Sequence, residues 1–198
     1  YGSGMSIRIA RGGVPSSLFM LLTRSFATLP STILATILAT TARMMGADVL
    51  FLRHAIAPGT GDPAGFRLDD CTTQRNLSDD GRAQARALGD ALRQSGLPIR
   101  AVLSSQWCRA KDTADLLSLG PVRLDPGLNS FFGDPEARAP TLTKLDNTLA
   151  TLPRDAVTIM VTHQVVISAV TGHSPASGGA VLYDIDTGQA QPVDIPLD

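Results

Sequence analysis

With 198 residues, 43% of them apolar, the chain is long enough to bury one well-formed core and does not ask for a second. A formal net charge of -1, with arginines spread along the chain, excludes the basic footprint of a nucleic-acid binder. Three histidines and two cysteines, far apart in sequence, exclude the paired-ligand spacing of a zinc site, so neither metal nor cofactor is expected.

Residues 1–4, ahead of Met5, read as a vector remnant outside the fold. Residues 5–30 read as a leader or an N-terminal extension. The stretch 5–47 contains no acidic residue while Arg8, Arg11, Arg24 and Arg43 punctuate it. Arg8 and Arg11 suit a basic n-region, Leu18 to Leu22 an apolar stretch, and the small residues around Ala27 a cleavage site. A periplasmic or secreted protein is therefore expected, the alternative being a cytoplasmic one with an ordered extension. No run reaches the ~18 apolar residues of a membrane span, so no stable span is expected.

Residues 31–198 read as a single domain. Ile33, Leu34, Ile37, Leu38 and Met45 fall near helical spacing, and Gly46 stops that helix. The run from Asp48 to Arg53 is a central strand covered on both faces, ending in Arg53-His54. Pro58, Gly59, Gly61 and Pro63 make 55–65 an irregular loop. Ser78 is a good N-cap with Asp79 and Asp80 behind it, and Ala83, Ala87, Leu88, Ala91 and Leu92 form the apolar face of the helix that follows. A strand at 101–105, a helix at 107–117 and a short strand at 122–124 come next. A helix at 140–152, a central strand at 157–163 and a helix at 165–170 follow. The chain closes with a strand at 180–185 and an edge segment at 192–195. This alternation predicts an α/β fold, a three-layer sandwich with a mostly parallel central sheet flanked by helices.

Three strands end in polar groups: Arg53-His54, Ser104-Ser105 with Arg109 one turn on, and Thr162-His163. Ligands of open α/β sheets sit at strand carboxyl ends, so these groups are expected to converge. Two guanidiniums and two imidazoles in one crevice suit a phosphoryl group, whose transition state spreads negative charge over three oxygens. The amides of Gln164 and Val165 add anion-binding donors where a helix starts there.

The run Leu52-Arg53-His54-Ala55 resembles the Arg-His-Gly signature of the histidine phosphatase superfamily, which includes the phosphoglycerate mutases, with alanine for the usual glycine. Ser104-Ser105-Gln106-Trp107-Cys108-Arg109 with Thr113-Ala114, the strand end Thr162-His163, and the helix start Leu77-Ser78 with Gly81, Gln84 and Ala85 resemble its other elements in the same order. The resemblance implies a metal-independent phosphohydrolase in which His54 accepts the phosphoryl group, Arg53 and Arg109 clamp its oxygens, and His163 donates to it. It places Thr60 at a polar phosphate contact.

The glutamate that family members acting on alkyl phosphates use as proton donor has no counterpart in Leu128-Asn129-Ser130-Phe131. Either another acid serves, with Asp62, Asp70, Asp134 and Glu136 as candidates, or the leaving group needs little help. The expected partner is a phosphorylated small molecule or a phosphoprotein, including phosphohistidine. A phosphotransferase or mutase, and a non-catalytic phosphate-binding module, stay open, as does the oligomeric state. Cys71 and Cys108 form one disulfide if the protein is exported, worth ~3–4 kcal/mol, or remain two thiols in a cytoplasmic one. Cys108-Arg109 lacks the phosphate-cradling loop of a cysteine phosphatase, and His173 is assigned no role.

Overall fold

The computed structural model describes residues 31–197; the readings of residues 1–30 as vector remnant and leader lie outside them. The helix α1 (Ser31–Met45) leads into β1 (Val49–Arg53). Then come α2 (Asp79–Gln94), β2 (Ile99–Ser104), α3 (Cys108–Leu117), β3 (Val122–Leu124), α4 (Arg138–Thr151), β4 (Val157–Thr162), α5 (Gln164–Thr171), β5 (Ala180–Tyr183) and β6 (Ala190–Val193). The strand order is β3-β2-β4-β1-β5-β6. β3, β2, β4 and β1 run parallel, whereas β5 and β6 add antiparallel to the edge beyond β1. The fold is an α/β sandwich with a mixed, centrally parallel sheet.

Two hydrophobic clusters occupy the two faces of that sheet. Leu50 and Leu52 of β1 with Ile159 and Val161 of β4 pack against Leu38 and Ala42 of α1, Leu88 and Leu92 of α2, and Ala114 and Leu117 of α3. On the other face Val49, Phe51 and Met160 pack against Leu145 and Leu149 of α4 and Val166 and Ile167 of α5. Because side chains alternate along a strand, the continuous apolar runs of β1 and β4 feed both clusters, which is why both strands sit in the middle.

Four elements differ in detail from the expectation. The buried stripe of α2 is Gly81, Ala85, Leu88, Gly89 and Leu92, not the stripe through Ala83, Ala87 and Ala91; Ala83 is exposed. The reason is backbone approach. A Cβ on Gly81 would lie 2.0 Å from the Ile56 carbonyl oxygen, and one on Gly89 2.1 Å from that of Leu117, so glycine faces inward where the neighbouring backbone lies too close for any side chain. α4 begins ahead of Pro140, which sits in its first turn where a missing N–H costs nothing. β5 stops at Tyr183. Pro192 lies inside β6 rather than at its start, tolerated because this strand is the sheet's edge.

Candidate active site

The parallel register brings three strand ends together. Arg53 pairs with Thr162 and Ser104 with Val161, and the ladder continues one residue further. The His54 amide donates to the Thr162 carbonyl at 3.0 Å and the Ser105 amide to that of Val161 at 2.9 Å. His54, Ser105 and His163 therefore leave the sheet side by side, with β4 in the centre. The two imidazoles are buried, their ring centres 5.4 Å apart and edge to face at 64°. The Trp107 indole closes on the other side of His163, also at 5.4 Å.

Both arginines named by the sequence reach this cluster. Arg53 Nη1 donates to the Pro175 carbonyl at 2.9 Å. Arg109 makes a two-pronged ion pair with Asp62, Nη1 to Oδ1 at 2.7 Å and Nη2 to Oδ2 at 3.1 Å, and Nη1 also reaches the Arg75 carbonyl at 3.3 Å. The Nε–H groups of both arginines are buried without a partner, and they are two of the four such side-chain atoms among the described residues. A buried N–H without an acceptor costs about 1–3 kcal/mol, more when charged. Two on neighbouring cations are donors that an anion can satisfy.

The electrostatics agree. Burial, and then the charge of Arg109, lowers the Arg53 pKa. The His54 pKa falls to about 3, chiefly through burial, opposed by its bond to the Ala55 carbonyl and reinforced by Arg109, Arg75 and Arg53. Burial and the same cationic neighbours hold His163 well below the ordinary imidazole value. Both rings are thus neutral near pH 7, and their tautomers matter. His54 Nδ1 lies 2.8 Å from the Ala55 carbonyl oxygen; since a carbonyl only accepts, Nδ1 carries the proton and Nε2 keeps its lone pair. His163 Nε2 lies 2.9 Å from the Ser105 hydroxyl.

The remaining sequence candidates separate by position. Asp62 is buried in the site, whereas Thr60 is exposed on the same loop and takes no part in the hydrogen bonds that hold the cluster. Gln164 is exposed at the first position of α5, where its amide and that of Val165 lie ahead of the helix's own bonding pattern. Asp70 and Asp134 spend their carboxylates capping short 3-10 turns, at Thr72 and at Glu136 and Ala137 respectively, and Glu136 is an exposed member of the second turn. Cys71 and Cys108 are joined as a disulfide with a Cα–Cα distance of 5.7 Å. Among the described residues no three His, Cys, Asp or Glu side chains gather as metal ligands, and no helix is long and apolar enough to cross a membrane.

Several contributors escaped the sequence reading. Arg75 donates from Nε to the Gly61 carbonyl at 2.7 Å and from Nη1 to that of Ala57, holding the loop that presents Asp62. Thr113 accepts from the Ala55 amide at 3.0 Å and donates to the Arg109 carbonyl at 2.7 Å, so α3 fixes the backbone beside His54. Gln84 accepts from the Ile56 amide at 3.0 Å and donates to the Ser177 carbonyl at 3.1 Å, tying two loops together. Thr113 and Gln84 stood in the motifs quoted above. Arg75, outside any motif, gave no local signal.

Residues 49–146 match the family model of the histidine phosphatase superfamily (branch 1). No curated protein sequence matches the chain. Among solved structures, a Thermus thermophilus protein is 20% identical with a TM-score of 0.52, covering 73% of this chain and 98% of its own. A mycobacterial glucosyl-3-phosphoglycerate phosphatase is 18% identical with a TM-score of 0.51, covering 75% and 98%. The product of a Mycobacterium tuberculosis open reading frame is 18% identical with a TM-score of 0.53, covering 75% and 96%. At these identities the likeness is one of fold.

Proposed function

Because this chain belongs to the histidine phosphatase superfamily, we propose that it is a phosphatase that hydrolyses phosphomonoesters through a phosphohistidine intermediate on His54. The observation that carries this reading is the state of that ring: neutral, with Nδ1 committed to the Ala55 carbonyl and the Nε2 lone pair left for attack. Nε2 forms an N–P bond while the P–O ester bond breaks and the leaving oxygen departs with its electron pair. Water then attacks phosphorus, the N–P bond breaks, and inorganic phosphate leaves a neutral His54 behind. The unpartnered Nε–H groups of Arg53 and Arg109 meet the phosphoryl oxygens, the reading under which positive charge comes from the chain's own side chains rather than a metal. When the Ser105 hydroxyl donates to His163 Nε2, Nδ1 becomes the N–H and donates to the same group.

The leaving group receives little help. Of the four candidate acids only Asp62 stands in the cluster. Burial raises its pKa, but the hydrogen bonds and charge of Arg109, the Arg75 amide and the Trp107 indole outweigh that and hold it below the ordinary carboxylate value. An acid held ionised does not donate a proton. This favours substrates whose leaving groups are weak bases: aryl phosphates, acyl phosphates and the phosphoramidate of a phosphohistidine in a phosphoprotein. The disulfide supports a periplasmic or secreted setting, where such bonds persist.

The test is turnover of aryl phosphates, alkyl phosphates and a phosphohistidine peptide, with rapid quenching to trap labelled enzyme. The expected result is an acid-labile label on wild-type protein, with aryl substrates faster than alkyl ones. His54→Ala is expected to lose turnover by roughly 10³-fold or more and to carry no label. A His54→Ala variant as active as wild type would remove His54 as nucleophile.

A further inference from the structure

The Asp62 carboxylate is the most heavily bonded acid in the site, and its four donors decide what it can do. It accepts Arg109 Nη1 at 2.7 Å and Nη2 at 3.1 Å, the Arg75 amide at 3.1 Å and the Trp107 Nε1–H at 3.0 Å. The loop that carries it is fastened by the Arg75 side chain to Ala57 and Gly61, by the Cys71–Cys108 bridge, and by Gln74, whose side-chain oxygen accepts the Cys108 amide at 3.0 Å. A carboxylate with its lone pairs taken, on a loop fastened at both ends, is a fixture of the site.

The same count applied to Arg109 gives the consequence. A guanidinium has five N–H bonds in a fixed plane. Nη1 spends both on Asp62 and the Arg75 carbonyl, and Nη2 spends one on Asp62. Two remain, the buried and unpartnered Nε–H and one on Nη2. These lie on one edge of the plane and form a second fork, the geometry that takes two oxygens of a phosphoryl group.

We propose that Asp62 is a positioning residue: by occupying the far end of Arg109 it turns the guanidinium so that its Nε edge faces the phosphoryl group. This rests on the phosphatase reading. Asp62 acts through Arg109 and touches neither substrate nor the reacting atoms. The rival arrangement makes Asp62 a stand-in for phosphate, displaced when the anion arrives.

Two measurements separate these. In the first, inorganic phosphate is titrated into wild-type protein while the Arg Nε–H NMR signals are followed. The Arg109 Nε–H signal is expected to shift with phosphate while the Trp107 indole N–H signal, reporting the Asp62 bond, stays in place. Movement of the indole signal with an unmoved Arg109 signal would mean that phosphate displaces Asp62, and would overturn the proposal. The second is a double-mutant cycle of Asp62→Asn and Arg109→Gln, read as the inhibition constant of phosphate and as kcat and KM on an aryl phosphate. Asp62→Asn is expected to weaken phosphate inhibition and to lower kcat/KM about 10–100-fold, mostly in kcat. In the Arg109→Gln background it is expected to change either by less than about twofold, because the two act as one unit. Tighter phosphate binding by Asp62→Asn, or an equal loss in both backgrounds, would overturn the proposal. The NMR titration needs neither turnover nor a variant that folds, so a wrong phosphatase reading and a wrong role for Asp62 fail separately.

Discussion

At the scale of single residues, the proposed chemistry depends on one proton being in the right place. His54 is usable because burial and three guanidiniums keep its ring neutral, and because the next residue's carbonyl fixes which nitrogen bears the hydrogen. In free protein the His54 ring signals are expected not to titrate between pH 5 and 8, checked by NMR. The stability consequence has a definite sign. The native pKa of about 3 lies below the ordinary 6.5, so between those values the unfolded chain binds a proton that the native chain does not. The His54 contribution is complete above pH ~6.5 and is lost as pH falls toward 3, on the order of a few kcal/mol in all. Denaturant midpoints measured from pH 8 to 4 should therefore fall on the acid side. Arg53, His54, Arg109 and His163 were legible because each ends or follows an apolar run and falls within a recognisable motif. The pairing of Asp62 with Arg109 was not. As one carboxylate in a Gly/Pro-rich loop it read as a proton donor, and only the folded path of that loop shows it turned toward Arg109 and held ionised.

At the scale of elements, α2 and α3 position the loops through contacts where no side chain fits. Gly81 lets α2 lie directly on the Ile56 carbonyl, two residues after His54, and Gly89 lets it lie on the end of α3, the helix that carries Arg109. Gly81→Ala and Gly89→Ala are each expected to destabilise the fold by about 1–3 kcal/mol, as overpacking does, against the gain in helix propensity that alanine normally brings. Thermal melts check this. Gly81→Ala is expected to lose more activity than Gly89→Ala, because its clash falls on the His54 loop. The period of α2 was readable in Leu88 and Leu92. Which residues complete the stripe was not, since a glycine carries no hydropathy signal and its inward position follows from how near another backbone comes.

At the scale of the whole molecule, the long loop between β1 and α2 is a separate structural problem from the sheet. The sheet is held by its two apolar clusters. The loop depends on polar contacts, on a small apolar cluster of Ala55, Ala57 and Leu77 with Ala85 of α2, and on the Cys71–Cys108 bridge, which spans 37 residues of sequence. Closing a loop of that length stabilises the native state by about 3–4 kcal/mol in the chain-entropy account. Reductant, or Cys71→Ser with Cys108→Ser, is expected to lower the melting temperature by roughly 10 °C, as calorimetry with and without reductant would show. An unchanged melting temperature would mean that the bridge does not form in solution. The alternation of strands and helices was plain in the sequence because hydrophobic period is a local property. The antiparallel addition of β5 and β6 was not, because strand direction at an edge is set by the course of the connecting loops.

The strand order also bears on how the protein is made. β1 receives its parallel neighbour only when β4 arrives, with Val49 opposite Thr158, and its other flank only when β5 does. Such distant pairings form late, after the entropy of a long closure has been met. In a nascent chain the strand that ends in Arg53 and His54 therefore has no sheet neighbour on either side until residues 157–183 have emerged. Under the proposed phosphatase reading, a product truncated ahead of His163 is expected to turn nothing over, however well its earlier elements fold.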